Sequence, residues 1–316
     1  MKRLCESILA LALLGAASAT AAPPGNSGAV PYMPAAAAAA RSGYVRNSGG
    51  AFFVAGKSSL QLIPNKPVCI VNGVKVHQCF PTRRSSGKLH VSRLDAQKTI
   101  TPLSPRRTGV FRHRVVTITI DPGHGGRDRG AAGTLMIEKM ATLMLAKRLS
   151  EILRGCGYKV NFTRTRDYFV PLGERCRIQR QHKSDLFISI HVNAAANRGF
   201  HGIETFALTP AGAASTSGGP PSNRSFSGNR FDANNLFLAH SIQKALLRRT
   251  GAFDRGVKRA RFAVLRDINA PGVLIEVGFV SNPREERKLI NSRYREQVVR
   301  AIAEGIISYH RAMLGK

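Results

Sequence analysis

The 316-residue sequence predicts an α/β fold in which a mostly parallel, twisted sheet carries helices on both faces and follows a small β-rich module. Three observations predict it. From residue 115 onward, short continuous apolar runs such as Val115–Ile120 alternate with helical patterns, as in sheets buried on both faces. Before that point, short β-type runs follow one another without a helix between them. With 43% hydrophobic residues, the chain can bury a core of this size.

The N-terminus has the pattern of a secretory signal peptide, which we assign to residues 1–22. Its parts are the positive start Lys2-Arg3, the apolar run Ile8–Leu14, and cleavage options at Ala19 or Ala21. The apolar run is too short for a membrane-spanning helix, so we expect no stable membrane span after signal removal. The sequence therefore predicts an exported protein. We favour the periplasm, with the cell wall or extracellular space as the alternative.

Two segments separate the signal peptide from the main domain. Residues 23–50 are rich in Ala, Gly, Pro and Ser and include the run Ala35–Ala40, which predicts a disordered linker. Residues 51–108 read as the small β-rich module, because Asn72-Gly73 lies between apolar alternations and indicates a hairpin. Its role could be wall binding, docking of an activator or spacing. A second linker, residues 109–114, leads into the main domain at 115–316.

The main domain alternates strands and helices, which favours a parallel sheet. The predicted strands are Val115–Ile120, Tyr158–Thr163, Asp185–His191, Ile203–Leu208, Phe262–Leu265 and Gly272–Val277. The predicted helices are Glu138–Arg154, Leu172–His182, Asn234–Arg249, a short one opened by Pro283 after the N-cap Asn282, and Arg293–Met313. Residues 209–230 interrupt this order with small and polar residues, and we expect a flexible loop there.

Charge and cysteine usage narrow the partner classes. The net charge is +30, from 48 Lys and Arg against 18 Asp and Glu, which fits nucleic acid or an anionic cell envelope. Export argues against nucleic acid, although a general bias of the source proteome would also explain the charge. The mature chain would keep Cys69, Cys79, Cys156 and Cys176. Their three pairings, or four free thiols, all stay open.

Four side chains could carry chemistry. His124 lies in the Gly-rich turn 121–126 directly after the first strand, and His191 ends another strand, so both belong to one edge of the sheet. Glu138 opens the first long helix, where the helix dipole alone would favour a carboxylate. Glu276 lies inside an apolar strand, where a carboxylate is costly unless it is paired or faces a metal. From the residues alone, structural roles and a metal site both stay open; two His and one Glu form a known catalytic zinc set.

These motifs together resemble the zinc-dependent N-acetylmuramoyl-L-alanine amidases with a type-3 catalytic domain, including AmiC-like and CwlV-like enzymes. The resemblance runs in order from Val115 to about Ala312. The segments that carry it are Asp121–Gly126, Ile137-Glu138-Lys139, Arg164-Thr165-Arg166, Leu172-Gly173-Glu174-Arg175, Ser189–Asn193, Gly256-Val257-Lys258-Arg259, Glu276–Phe279 and Ser281-Asn282-Pro283. The individual motifs are short, but their joint presence in this order is highly specific.

The resemblance implies a peptidoglycan hydrolase that cuts the amide bond between the lactyl group of N-acetylmuramic acid and L-alanine. It places Zn²⁺ on the positions matching His124, Glu138 and His191, and the general base at Glu276. Asn193 is a candidate for contacting the substrate or supporting a ligand, or it is only a turn residue. Asp121 either orients His124 or only starts the turn.

The implied partners are peptidoglycan, as an anionic polymer, and an activator protein. Some relatives carry a helix that plugs the active site. The composition of residues 209–230 argues against such a helix here. Two rival readings are a wall-binding protein on an inactive amidase scaffold and a zinc endopeptidase.

Overall fold

The computed structural model describes residues 30–46, 51–107 and 109–315. The predicted signal peptide lies outside them. The helices are α1 (Ala35–Arg41), α2 (Arg93–Asp95), α3 (Thr101–Leu103), α4 (Glu138–Gly155), α5 (Leu172–Gln181), α6 (Asp232–Thr250), α7 (Ala263–Arg266), α8 (Pro283–Ile290) and α9 (Ser292–Met313). A π-helical turn, Ala96–Ile100, joins α2 to α3, and a 3-10 turn, Ser227–Phe231, precedes α6.

The strands form one large sheet and two small ones. They are β1 (Tyr32–Pro34), β2 (Val45–Arg46), β3 (Phe52–Ala55), β4 (Ser58–Leu62), β5 (Val68–Val71), β6 (Val74–His77), β7 (Arg83–Ser85), β8 (Lys88–Ser92), β9 (Thr117–Pro122), β10 (Lys159–Phe162), β11 (Leu186–Asn193), β12 (Ile203–Leu208), β13 (Ala213–Ser215), β14 (Gly218–Ser222), β15 (Asp254–Ala260) and β16 (Gly272–Phe279). The large sheet has the order β10-β9-β11-β16-β12-β15-β6-β5-β4-β3-β2.

The predicted fold class is confirmed. Strands β10, β9, β11 and β16 run parallel, and β12 pairs antiparallel with β16 but parallel with β15. Alternate residues of β11 enter two separate apolar clusters, with Ile188 and Ile190 on one face and Phe187 on the other. Helices α4, α6 and α9 cover the first face, while α5 and α7 lie together on the second. Burial on both faces explains why these strands read as continuous apolar runs.

The β-rich module is joined to the main domain through the sheet itself. Strands β2 to β6 form an antiparallel meander, and β6 pairs parallel with β15 at Val76 and Val257. The predicted Asn72-Gly73 turn connects β5 to β6 with positive φ at both residues, as such hairpins require. The module thereby covers the hydrogen-bonding edge of β15, which would otherwise be exposed.

One predicted strand was wrong. Residues Phe262–Leu265 do not form a strand, since the short helix α7 occupies Ala263–Arg266. The strand of this region is β15 at Asp254–Ala260, whose charged residues break the apolar run that the sequence analysis relied on. The N-cap prediction at Asn282 is confirmed, because its side chain accepts hydrogen bonds from the N–H groups of Arg284 and Glu285.

The disordered linker predicted for residues 23–50 is wrong for residues 32–46. The alanine run forms α1, with Ala35, Ala38 and Ala39 buried in the core, and β1 pairs with β8. Alanine has the highest helix propensity and buries no polar group, so a short alanine run can dock as a helix. Residues 23–29 and 47–50 lie outside the described residues.

The segment 209–230, expected to be a flexible loop, contains a hairpin of β13 and β14 followed by the 3-10 turn. The guanidinium of Arg261 donates hydrogen bonds to the carbonyls of Ala213 and Ser222, which lie on the two strands of that hairpin. At its tip, Thr216 exchanges hydrogen bonds with the backbone of Arg259 on β15. The hairpin is thus attached to the carboxyl end of β15, next to the site described below.

Two further features bear on the predictions. In the part of the chain that the structure describes, no helix is both long enough and apolar enough to cross a lipid bilayer. The thiols of Cys69, Cys79, Cys156 and Cys176 are all free.

Candidate active site

Three predicted ligands meet at the carboxyl edge of the parallel strands. His124 follows β9, His191 lies near the end of the neighbouring strand β11, and Glu138 is the first residue of α4. Glu138 Oε2 lies 3.1 Å from His124 Nε2, and Glu138 Oε1 lies 3.0 Å from His191 Nδ1. One ligand atom from each residue falls within 4.8 Å of the other two. Two imidazole nitrogens and one carboxylate oxygen at this spacing can hold one divalent metal ion.

The backbone helps to fix the Glu138 carboxylate. A register shift between His191 and Asn193 interrupts the pairing of β11 with β16. The N–H of Val192 in this bulge donates to Glu138 Oε1 at 3.0 Å, and the N–H of Ala131 donates to Oε2 at 2.8 Å. Bulges of this kind re-aim side chains next to active sites.

The glycines around His124 are required by close approach. A Cβ on Gly123 would lie 2.3 Å from Cε1 of His191, and one on Gly130 would lie 2.6 Å from Glu138 Oε2. His124 itself has φ of 61°, in the left-handed region. The glycines therefore permit a tight turn in which the three candidate ligand side chains approach one another closely.

Two buried arginines hold the turn that carries His124. Arg164 donates to the carbonyls of Pro122 and Gly123, and Arg175 donates to those of Pro122 and His124. The carboxylate of Asp121 pairs with Arg175 at 2.7 Å. The structure therefore fixes the loop backbone by charge-assisted hydrogen bonds inside the core.

The prediction that Asp121 orients the His124 ring was wrong. Its two oxygens accept hydrogen bonds from Thr163, Arg175 and Ser189, on the inner side of the sheet. The ring is instead oriented by Asp128, whose Oδ1 lies 2.9 Å from His124 Nδ1. Sequence analysis missed Asp128; its signal was a carboxylate four residues after the histidine in the same glycine-rich loop. Asp121 acts on His124 only through Arg175 and the backbone.

The electrostatics of the three candidate ligands follow from these contacts. Burial acts to lower the pKa of His124, but hydrogen bonds to Asp128 and Glu138 outweigh it and raise the pKa to about 10. Burial acts in the opposite sense on Glu138, yet hydrogen bonds with His124 and His191 hold its pKa well below the usual range. An anionic carboxylate thus lies between two imidazole rings, an arrangement that could hold a metal ion.

Glu276 lies on β16 directly opposite His191 of β11. Among the residues that the structure describes, its buried Oε2 has no hydrogen-bond partner. Burial, together with the nearby carboxylates of Glu138 and Glu204, raises the pKa of Glu276 well above its ordinary value. A buried, unpartnered carboxyl oxygen beside a metal-ligand set is suited to exchange a proton with a bound molecule.

A second carboxylate, Glu204 on β12, stands opposite Glu276 and was also missed. It accepts hydrogen bonds from Asn193, at 2.9 Å, and from Arg255 and Lys258, at 2.8 and 2.6 Å. The signal was available, because Glu204 interrupts the apolar strand Ile203–Leu208 just as Glu276 interrupts its own strand. Asn193 ends β11 two residues after His191, and its side-chain amide donates to Glu204.

These groups share one cavity of about 470 Å³. Carboxylates of Glu138, Glu204 and Glu276 line it together with apolar side chains, Lys258, and the hairpin-tip residues Thr216 and Ser217. The cavity is large enough for part of a polymeric substrate around a reacting bond.

Comparison with known proteins identifies the protein family and the enzyme class. A family model described as N-acetylmuramoyl-L-alanine amidase matches residues 118–308. The amidase AmiA of Escherichia coli (strain K12) is 36% identical over 220 residues, covering 61% of this chain and 75% of AmiA. The amidase LytC of Bacillus subtilis (strain 168) is 36% identical over 195 residues, covering 62% of this chain but only 36% of LytC.

Solved structures agree with the sequence comparison. An N-acetylmuramoyl-L-alanine amidase from Clostridium difficile 630 aligns with a TM-score of 0.54 at 32% identity, covering 63% of this chain and 99% of that one. The catalytic domain of CwlV from Bacillus (Paenibacillus) polymyxa var. colistinus aligns with a TM-score of 0.52 at 30% identity, covering 61% and 97%. The CwlD amidase of Clostridioides difficile, solved in complex with the GerS lipoprotein, aligns with a TM-score of 0.54 at 28% identity, covering 62% and 99%. These matches confirm the family and the enzyme class predicted from the sequence. Because the family match spans more than half of its residues, the chain belongs to the Amidase_3 family of N-acetylmuramoyl-L-alanine amidases.

Proposed function

We propose that the chain hydrolyses the amide bond between the lactyl group of N-acetylmuramic acid and L-alanine, with His124, Glu138 and His191 as zinc ligands and Glu276 as the proton-transferring group. One observation carries the proposal. Three metal-type ligands converge on one point, and the carboxylate on the neighbouring strand has a buried oxygen without a partner among the described residues.

The ligand set supports zinc as the resident metal. Imidazole and carboxylate donors in a two-His, one-Glu set are typical of catalytic zinc sites, which keep one position open. When bound, zinc supplies Lewis-acid chemistry, because it polarises an amide carbonyl and acidifies water. Asp128 keeps the His124 ring in place, and Arg164 and Arg175 keep its loop in place. These residues hold the ligand geometry ready before substrate arrives.

Glu276 is proposed to move the proton of the reaction. It takes a proton from the attacking water while the water oxygen bonds to the lactyl carbonyl carbon. The C–N bond then breaks, and the same carboxyl group delivers the proton to the departing nitrogen of L-alanine. The products are a lactyl carboxylate and a peptide with a free amine. A raised pKa suits a group that must both accept and release a proton near neutral pH.

The proposed setting is the cell envelope. The signal peptide predicts export, with the periplasm favoured, and the substrate class requires access to peptidoglycan. A net charge of +30 supports attraction to a carboxylate-bearing polymer. An activator remains part of the proposal. The related CwlD is solved with the GerS lipoprotein. In this chain, the β-rich module continues the catalytic sheet through the pairing of β6 with β15 and offers a docking surface for an activator.

The decisive experiment is mass spectrometry of purified sacculi digested by the full chain, with and without a chelator. We expect stem peptides with free L-alanine amines, formed only when zinc is present. Peptides cut at an internal peptide bond would instead identify an endopeptidase, and no products at all would favour an inactive wall-binding scaffold.

A substitution then tests the assigned base. Glu276→Gln should keep a full zinc complement and lose at least about 100-fold in turnover, the scale of general acid–base catalysis. Glu151→Gln, an exposed carboxylate on α4, is the matched control and should leave turnover unchanged. Wild-type digestion by Glu276→Gln would remove this residue from the mechanism.

A further inference from the structure

The cavity carries one fixed positive side chain whose role the hydrolysis itself does not explain. Among the residues that the structure describes, Lys258 is the only lysine or arginine lining it. The side chain is held rather than free, with 17% of its surface exposed and Nζ 2.6 Å from Glu204 Oε2. The rest of the lining consists of three carboxylates, the imidazoles of His124 and His191, and uncharged polar and apolar groups.

Neutralising Glu204 does not account for Lys258. Glu204 already pairs with Arg255 at 2.8 Å and accepts a further hydrogen bond from Asn193. The guanidinium of Arg255 is fixed on the side away from the cavity, 5.0 and 4.9 Å from the ring centroids of Phe200 and Phe279. One carboxylate between two cations leaves one net positive charge, and Lys258 is the member of the cluster that faces the cavity.

An ammonium in this position can bind an anion. Its nitrogen carries three donor hydrogens, of which Glu204 occupies one, so donors remain for a ligand. Hydrogen bonds between an ammonium and a carboxylate are stronger than neutral ones, and partial burial reduces screening by water. The hairpin tip, Thr216 and Ser217, lines the same cavity. Thr216 is held there by hydrogen bonds with the backbone of Arg259, the residue that follows Lys258.

The distance from Lys258 to the reacting bond indicates which carboxylate of the substrate it can reach. Strand β15 lies two strands away from β16. Glu204 on the intervening strand pairs with both Glu276 and Gly256, so Lys258 lies two residues further along the sheet than Glu276. Together these offsets give about 12 Å between the backbones of Lys258 and Glu276. The Lys258 side chain reaches back across part of that gap, since it meets Glu204 on the intervening strand. In an extended stem peptide, the second residue lies about 7 Å from the bond that is cut. A carboxylate on that residue therefore falls within reach.

We propose that Lys258 binds the free carboxylate of the stem residue that follows L-alanine, and so selects stems in which that group is not amidated. The inference rests on the proposed amidase function and names a specificity determinant for it. It predicts a preference that is set by one charge on the substrate and one charge on the protein.

The test uses two synthetic N-acetylmuramoyl dipeptides, both L-alanyl-glutamate, that differ only in a free or an amidated α-carboxyl group. The wild-type chain should show kcat/KM about tenfold or more higher for the free acid, the scale of one charge-assisted hydrogen bond. Lys258→Gln should bring that ratio close to one, and Lys258→Arg should restore most of it. Lys147→Gln, an exposed lysine on α4, is the matched control and should keep the wild-type ratio.

Two outcomes would overturn the proposal. The first is a wild-type ratio near one. The second is an unchanged ratio in Lys258→Gln accompanied by an equal loss on both substrates, which would show that the lysine only supports Glu204. Release of the free L-alanine amine from either dipeptide reports the amidase function separately, so failure of the specificity proposal does not count against the reaction.

Discussion

Removing the Asp128 carboxylate should weaken metal binding without unfolding the chain. Asp128 Oδ1 lies 2.9 Å from His124 Nδ1 and also accepts the N–H of Gly130 at 3.1 Å. In Asp128→Ala, the ring loses the partner that fixes its orientation and increases its basicity toward a metal. Loss of such a partner typically costs 10- to 100-fold in metal affinity. Because one third of the Asp128 side chain is exposed, water replaces part of the interaction, and we expect about tenfold, or about 1.4 kcal/mol.

The assay is competition for zinc with a chromophoric chelator of known affinity, at constant pH and ionic strength. Asp128→Asn retains an acceptor oxygen and should fall between wild type and Asp128→Ala. Asp267→Ala removes an exposed carboxylate at the end of α7 and serves as the control. An unchanged zinc dissociation constant in Asp128→Ala would refute the reasoning, because it would show that the loop backbone alone orients His124.

Three other outcomes are expected. His191→Ala should lose both zinc and activity, and metal analysis that still finds one zinc per chain would contradict its assignment as a ligand. Arg175→Met should lower the free energy of unfolding by about 3–5 kcal/mol, because it leaves the Asp121 carboxylate buried without its cation; urea titration measures this, and a loss below 1 kcal/mol would argue against the pair. Burial lowers the pKa of His240 to about 4, so the unfolded chain, with a pKa near 6.5, binds the proton first as pH falls. Stability from this group is therefore complete above about pH 6.5 and is lost toward pH 4. Urea midpoints should fall less on acidification in His240→Asn than in wild type, and equal falls would exclude His240 as a contributor.

The sheet and the main site residues could be predicted from the sequence for one physical reason. Strands buried on both faces must be apolar throughout, so a carboxylate inside one is conspicuous, as at Glu276. Histidines at the ends of such strands meet at one edge because parallel strands share a direction. Strand ends placed the two histidines at one edge, and the resemblance to the amidases then supplied the ligand roles of His124, Glu138 and His191.

The remaining parts could not be predicted because their determinants lie far apart in the chain. Strand β15 contains Arg255, Lys258 and Arg259, and it becomes a sheet strand only because β12 and β6 flank it. The alanine run before the module looks like a linker until the core against which it packs is known. Asp128 belongs to no periodic pattern, and its role appears only when the turn brings it back to the His124 ring.

The different environments of three carboxylates in one apolar cavity support the division of roles proposed here. Glu138 lies between two imidazoles and accepts two backbone N–H groups, so it is held as an anion for a metal ion. Glu204 accepts hydrogen bonds from two cations and an amide. Glu276 stands beside both, with a buried oxygen that lacks a partner among the described residues. Since its two charged neighbours and its burial all disfavour a third negative charge, Glu276 is the carboxyl group of the cavity that readily changes its protonation state. A hydrolysis that needs one group to accept and then return a proton therefore has one carboxylate suited to the task, and the other two hold the metal and the substrate-facing lysine in place.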